Sequence, residues 1–126
     1  MLFTRKKSNQ LSPIQAADGA RGEELVLVDV REHDERAQAR PADSRHIPLG
    51  DLPGRIGELP TDRTVAFICR SGSRSQMATR AAAERGLEAA VVSGGMLAWA
   101  DAGLPVESGL PVESGPLGDC TRAGQR

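Results

Sequence analysis

The sequence predicts an α/β domain built on a parallel sheet. Three observations carry this expectation. Leu25-Val26-Leu27-Val28-Asp29-Val30 and Val65-Ala66-Phe67-Ile68 are short, nearly continuous apolar runs. Strands covered on both faces by helices read this way, whereas half-exposed strands alternate. Between and after these runs lie stretches rich in helix formers, chiefly Arg74 to Arg85. Strands alternating with helices imply right-handed crossovers and a parallel sheet.

In chain order, residues 1–11 form a polar lead expected to be flexible. Ser12-Pro13 suits an N-cap followed by proline in the first turn, opening a helix over Ile14–Asp18 that Gly19 and Gly22 would end. Leu25–Val30 is the first clear strand. Glu32 to Gln38 is charged and suits a solvated helical turn. Arg45–Leu49 fits a short strand, and Asp51–Leu59 a short helix interrupted by Pro53 and Gly54. Val65–Ile68 is the second clear strand and runs into Cys69. A helix from Arg74 to Arg85 follows, with Gly86 at its C-cap. Ala89–Ser93 is a third strand, Gly94-Gly95 a turn, and Met96–Ala102 a last helix closed by Gly103. One domain over 12–109 follows, and the 126-residue length leaves room for one core. Leu104-Pro-Val-Glu-Ser-Gly109 recurs at once as Leu110-Pro-Val-Glu-Ser-Gly115, and the first copy is expected to dock. Residues 110–126 carry too little apolar surface to pack and are expected to be disordered.

With 16 basic and 17 acidic residues the net charge is -1, so no global field favours nucleic acid or an anionic membrane. Met1 to Gln10 holds Arg5, Lys6 and Lys7 but no apolar run after them, so neither a signal peptide nor a membrane span is expected. Cys69 and Cys120 lie far apart and match neither a disulfide framework nor a metal cluster. These features favour a reducing compartment and a cytoplasmic protein without cofactor or metal. Aromatic residues are limited to Phe3, Phe67 and Trp99, so Trp99 is expected to anchor the core.

The chemistry is concentrated in Cys69-Arg70-Ser71-Gly72-Ser73-Arg74-Ser75. A cysteine at the C-terminal end of a parallel strand sits where open α/β sheets place ligands. Small residues let the backbone curl so that successive N–H groups form an anion nest, and Gly72 can adopt positive φ. The following helix contributes its positive end, and Arg70 and Arg74 contribute full charges. These effects favour a thiolate, so Cys69 is expected to ionise below the usual ~8.5 of a free thiol. An ionised nucleophile needs no general base, and neither His33 nor His46 is in the loop. A buried structural thiol is the bland alternative, but Arg-Ser-Gly-Ser-Arg makes poor packing for an inert sulfur. A phosphate-binding loop of the Walker type needs Gly-Lys-Ser/Thr, which is absent.

At this point the sequence resembles a known family. Cys69–Ser75 is similar to the active-site loop of single-domain bacterial rhodaneses. Leu27-Val28-Asp29-Val30-Arg31-Glu32 resembles the family's Asp-Val-Arg segment. Gly94-Gly95-Met96-Leu97-Ala98-Trp99, followed by Ala102-Gly103-Leu104-Pro105-Val106, resembles its C-terminal signature. The resemblance covers roughly residues 11–107. It implies a rhodanese-like fold, a five-stranded parallel sheet flanked by helices on both faces. It also implies a sulfurtransferase: Cys69 takes the sulfane sulfur of thiosulfate or another persulfide donor and passes it to cyanide or a thiol. The backbone N–H groups of Arg70, Ser71, Gly72, Ser73 and Arg74 would hold the transferred sulfur. Partners would be a small anionic donor and a thiol or cyanide acceptor, or a sulfur-relay protein. Asp29 would lie in the loop's surroundings, although a strand-end turn role suits it equally. Cys120 could serve as a resolving thiol or be incidental. The rival readings are a persulfide carrier that does not use thiosulfate, a phosphatase or arsenate reductase of related fold, and a non-catalytic binding module. One segment departs from the family: where Gly-His-Ile-Pro-Gly-Ala is usual, an ungapped register places Ala39-Arg40-Pro41-Ala42-Asp43-Ser44. The usual His becomes Arg40, and the pattern resumes at Arg45-His46-Ile47-Pro48-Leu49. His46 is therefore expected to be structural.

Overall fold

The computed structural model describes residues 9–108. Five parallel strands form the central sheet: β1 (Gln10–Leu11), β2 (Leu25–Asp29), β4 (Ser44–His46), β5 (Thr64–Ile68) and β6 (Ala89–Val92), in the order β1-β6-β5-β2-β4. The two apolar runs are neighbours at its centre, paired Leu27 to Ala66 and Asp29 to Ile68. Alternate side chains go to opposite faces. Val26, Val28, Val30, Val65, Phe67 and Cys69 share one core with Leu52 of α3 (Leu52–Arg55) and Ala78 and Ala82 of α4 (Ser73–Glu84). Leu27, Ala66 and Ile68 share the other with Ala16, Ala17 and Ala20 of α1 (Pro13–Arg21) and Met96 and Trp99 of α5 (Gly95–Asp101). Helices on both faces explain why the strands read as continuous apolar runs.

Several boundaries differ from expectation, each for a local reason. Gln10 and Leu11, placed by the sequence in the flexible lead, pair with Val91 and Val92 as the edge strand. The α1 helix begins as expected, with Ser12 and Gln15 forming a capping box, but it runs to Arg21. Gly19 does not end it. A Cβ at Gly19 would lie 2.6 Å from Leu25 Cδ2, so the glycine lets α1 approach β2 closely. The expected Asp51–Leu59 helix is α-helical only over α3, with Pro53 in its first turn where proline is tolerated, and continues as a 3-10 turn over Ile56–Glu58.

The 39–44 segment forms β3 (Arg40–Pro41), a turn at Asp43 with φ 62°, and the start of β4. β3 pairs antiparallel with β7 (Val106–Glu107), and the Ala42 N–H donates to Pro105 O. The departing segment is thus the dock for the first Leu-Pro-Val-Glu copy. Pro105 O also accepts the Trp99 indole N–H at 2.9 Å, which ties this dock to the core. The second copy, Cys120, the 110–126 tail and residues 1–8 lie outside the described residues. None of the described helices is long and apolar enough to cross a membrane.

Candidate active site

β5 delivers Cys69 to the C-terminal edge of the sheet, where the residue is 1% exposed. The chain turns over it through Arg70-Ser71-Gly72 and enters α4. Gly72 takes φ 128°, a value that disfavours a side chain, and this directs its N–H inward to donate to Cys69 Sγ at 3.0 Å. In the first turn of α4 the Ser75 N–H lies 3.4 Å from Sγ and the Ser75 hydroxyl 3.2 Å. Such first-turn amides have no partner within the helix, so the sulfur meets donors that would otherwise be orphaned. Burial pushes the thiol up. The Ser75 hydroxyl and the amides of Ser75, Gly72 and Arg74 outweigh it, leaving Cys69 below its ordinary value.

The loop is held from behind by α5. Met96 N–H donates to Cys69 O at 2.8 Å and Leu97 N–H to Arg70 O at 3.2 Å. With these carbonyls turned outward, the loop amides face the sulfur. Gly95 makes the approach feasible, because a Cβ there would collide with the carbonyl oxygens of Cys69 and Arg70. The Gly94-Gly95 pair, which the sequence suggested only as a turn, is therefore a seat for the loop.

The expected site residues divide by position. Gly72 is buried and bonds the sulfur. Ser71 and Ser73 are exposed and shape the turn, and Arg70 is exposed at the mouth. Arg74 is not an open charge over the sulfur. Its guanidinium forms a two-pronged bridge to Glu35 of α2 (His33–Gln38), with Nη1–Oε1 2.8 Å and Nη2–Oε2 2.9 Å. The Arg74 hydrogen bond is the main reason the Glu35 carboxyl falls from 4.5 to about 2. The hydroxyl at Ser75 was not among the expected sulfur ligands, although the residue lies within the Cys69–Ser75 motif.

Asp29 is fully buried and turned toward β2's own neighbours. Its carboxylate accepts from Arg31 N, Nε and Nη2 at 3.0, 2.9 and 2.9 Å, and from Arg36 Nη1 at 3.2 Å. Arg31 continues to Ala39 O and Arg36 to Ser44 O. This buried network fastens α2 and the 39–44 segment to the sheet. His46 belongs to it, with Nε2 2.7 Å from Arg31 O and its ring edge-to-face with His33. Burial holds His46 below its ordinary value.

A strand-borne cysteine beneath the amides of Gly72 and Ser75 at a helix start, on a parallel sheet covered on both faces, defines an α/β protein with a cysteine-centred loop site. The chain belongs to the rhodanese-like domain family, whose profile matches residues 12–102. It is similar to a putative sulfurtransferase of Bacillus subtilis, YtwF, at 43% identity over 77 residues, spanning 61% of this chain and 75% of that protein. It is also similar to a sulfurtransferase of Allochromatium vinosum at 39% identity over 85 residues, spanning 67% of this chain and 79% of that one. Among solved structures, a rhodanese-related protein of Thermoplasma volcanium superposes with a TM-score of 0.72 at 28% identity, covering 78% of this chain and 96% of that one.

Proposed function

We propose that the protein is a sulfurtransferase in which Cys69 carries sulfur as a persulfide. The observation that carries this reading is the cradle itself: one buried sulfur with the Gly72 amide, the Ser75 amide and the Ser75 hydroxyl all within 3.0–3.4 Å. Donors arranged this way stabilise a thiolate and, after transfer, an anionic persulfide.

With thiosulfate as donor, the Cys69 thiolate attacks the sulfane sulfur. A new S–S bond forms, the sulfur–sulfur bond of thiosulfate breaks, and sulfite leaves with the bonding pair. In the second half, cyanide or a thiolate attacks the terminal sulfur, departs as thiocyanate or a new persulfide, and returns the Cys69 thiolate. No proton transfer is required at the nucleophile, consistent with a site whose sulfur contacts come from amides and a hydroxyl.

A second reading, a carrier charged by a persulfide and not by thiosulfate, has one observation in its favour. Glu35 cancels Arg74, and Glu32 is also close enough to act on that guanidinium, so Arg74 presents little net positive charge to a dianion. A phosphatase reading is disfavoured by loop length: Cys69 to Arg74 is a Cys-x4-Arg loop, one residue shorter than the Cys-x5-Arg of the related phosphatases. A shorter ring offers fewer donors to three equatorial oxygens. The test runs the native protein and Cys69→Ser side by side with thiosulfate plus cyanide, a low-molecular-weight persulfide, and a fluorogenic aryl phosphate. Sulfur transfer that depends on Cys69, from either donor, supports the proposal, and the donor used separates enzyme from carrier. Robust Cys69-dependent hydrolysis of the aryl phosphate contradicts it.

A further inference from the structure

Within the described residues, α2 is a helix with no buried side chain, so apolar packing does not hold it in place. Polar ties do. Arg36 reaches back to Asp29 and Ser44, and Glu35 reaches forward to Arg74. The forward tie joins an element outside the loop to the second residue of α4, directly between Gly72 and Ser75. The Glu35 carboxylate also accepts the Glu32 N–H at 2.9 Å, so the same group caps α2 and grips Arg74. Both side chains of the bridge are about two-thirds withdrawn from solvent, at 31% and 28% exposure, so the pairing is only partly screened.

We infer that Glu35 is a positioning residue of the Cys69 site: by clamping and neutralising Arg74 it sets the charge felt by the sulfur. The inference rests on the reading of Cys69 as a thiolate nucleophile and adds the group that limits its ionisation. Arg74 lies between Gly72 and Ser75, whose amides are 3.0 and 3.4 Å from the sulfur, so its charge acts on Cys69 from close by. Left unpaired, that guanidinium would deepen the thiolate's stabilisation. An over-stabilised thiolate is a poorer nucleophile, because nucleophilicity falls with pKa. With Glu35 in place, the sulfur is held chiefly by the neutral donors of Gly72 and Ser75. The other charged groups around the bridge are Arg70, exposed beside Cys69, Glu32 at the N-cap of α2, which acts on Arg74, and Arg31, which acts on Glu35 from the network where Asp29 is shared by the two guanidiniums of Arg31 and Arg36. From α5 the loop meets Met96 and Leu97, which carry no charge.

The prediction is a pattern of opposite signs. Glu35→Gln frees a cation, so the pH midpoint of Cys69 ionisation falls. Arg74→Gln leaves an uncompensated carboxylate, so the midpoint rises. The double variant removes a neutral pair and returns near the native midpoint. The measurement is the pH dependence of Cys69 alkylation by neutral iodoacetamide on a Cys120→Ser background, resolved by mass at the Cys69 peptide, with thermal melting as the folding control. Anionic iodoacetate gives an independent readout: its rate relative to iodoacetamide should rise about 3–10-fold in Glu35→Gln and fall by a similar factor in Arg74→Gln, the scale of one partly screened charge. A bridge that is only a structural strut gives folded variants whose midpoints do not move, or move in one direction, and that result overturns the inference. If Glu35→Gln does not fold, the midpoint of Arg74→Gln must still lie above that of the double variant. A native midpoint at the ordinary value of a free thiol would instead sink the nucleophile reading on which the inference stands.

Discussion

The Ser75 hydroxyl lies 3.2 Å from Cys69 Sγ, and both residues are withdrawn from solvent. The same hydroxyl is 3.3 Å from Gly72 O, and Thr79 donates to Ser75 O at 2.7 Å, so its position is fixed by the first turns of α4. A buried thiolate without such donors would be strongly disfavoured, since burial alone pushes the Cys69 thiol up.

Ser75→Ala should therefore raise the pH at which Cys69 ionises and slow sulfur transfer at neutral pH about 10–100-fold. That is the scale of one hydrogen bond to a charged group, about 1.5–3 kcal/mol. The check is the alkylation profile together with steady-state transfer. Ser75→Thr keeps the hydroxyl and should recover part of the loss, provided its methyl is accommodated. An unchanged profile in Ser75→Ala would leave the amides as the sole stabilising donors.

Arg70 follows the nucleophile and is exposed at the mouth, where it can meet an approaching anion. Arg70→Glu should raise KM for thiosulfate about 10–100-fold with a smaller effect on kcat, as expected for a contact made before the chemical step. An unmoved KM would favour the carrier reading, in which the donor is not a dianion.

Glu35 makes acid stability measurable. Its carboxyl sits at about 2 in the folded protein against an ordinary 4.5. The stabilisation is complete above the ordinary value. It is lost as pH falls from about 4.5 toward about 2, because the unfolded chain takes up the proton first. Thermal melts between pH 6 and pH 2.5 should show a steeper decline for the native protein than for Glu35→Gln. The difference should be on the order of 1–2 kcal/mol once solvent screening of the bridge is allowed for. Parallel curves would show that the bridge adds nothing to stability.

How much of this was legible in the sequence depends on the range of the interaction. β2 and β5 were visible because both faces of each strand are covered. The cysteine loop was visible because its donors lie within six residues of the sulfur. Two-residue strands such as β1, β3 and β7 have no periodicity to detect, and only their partners define them. Gly19 looked like a helix stop because its purpose, the approach of α1 to Leu25, is tertiary. The Arg74 charge was expected over the sulfur because nothing local shows that Glu35, 39 positions earlier, claims it. Ser75 was within the quoted motif, yet a hydroxyl one turn into a helix is not marked as a sulfur ligand until the turn is built. The 39–44 departure could be seen but not interpreted, since its partner is β7, Val106–Glu107, some sixty residues on.

The central claim is that Cys69 accepts and holds a sulfur atom. The most direct measurement is intact mass, with peptide localisation, after exposing the native protein to thiosulfate or to a low-molecular-weight persulfide and removing the excess. The account predicts one added sulfur on Cys69, removed by cyanide with formation of thiocyanate, and no such adduct at position 69 in a folded Cys69→Ser variant. A native protein that gains no sulfur at Cys69 from either donor would contradict it.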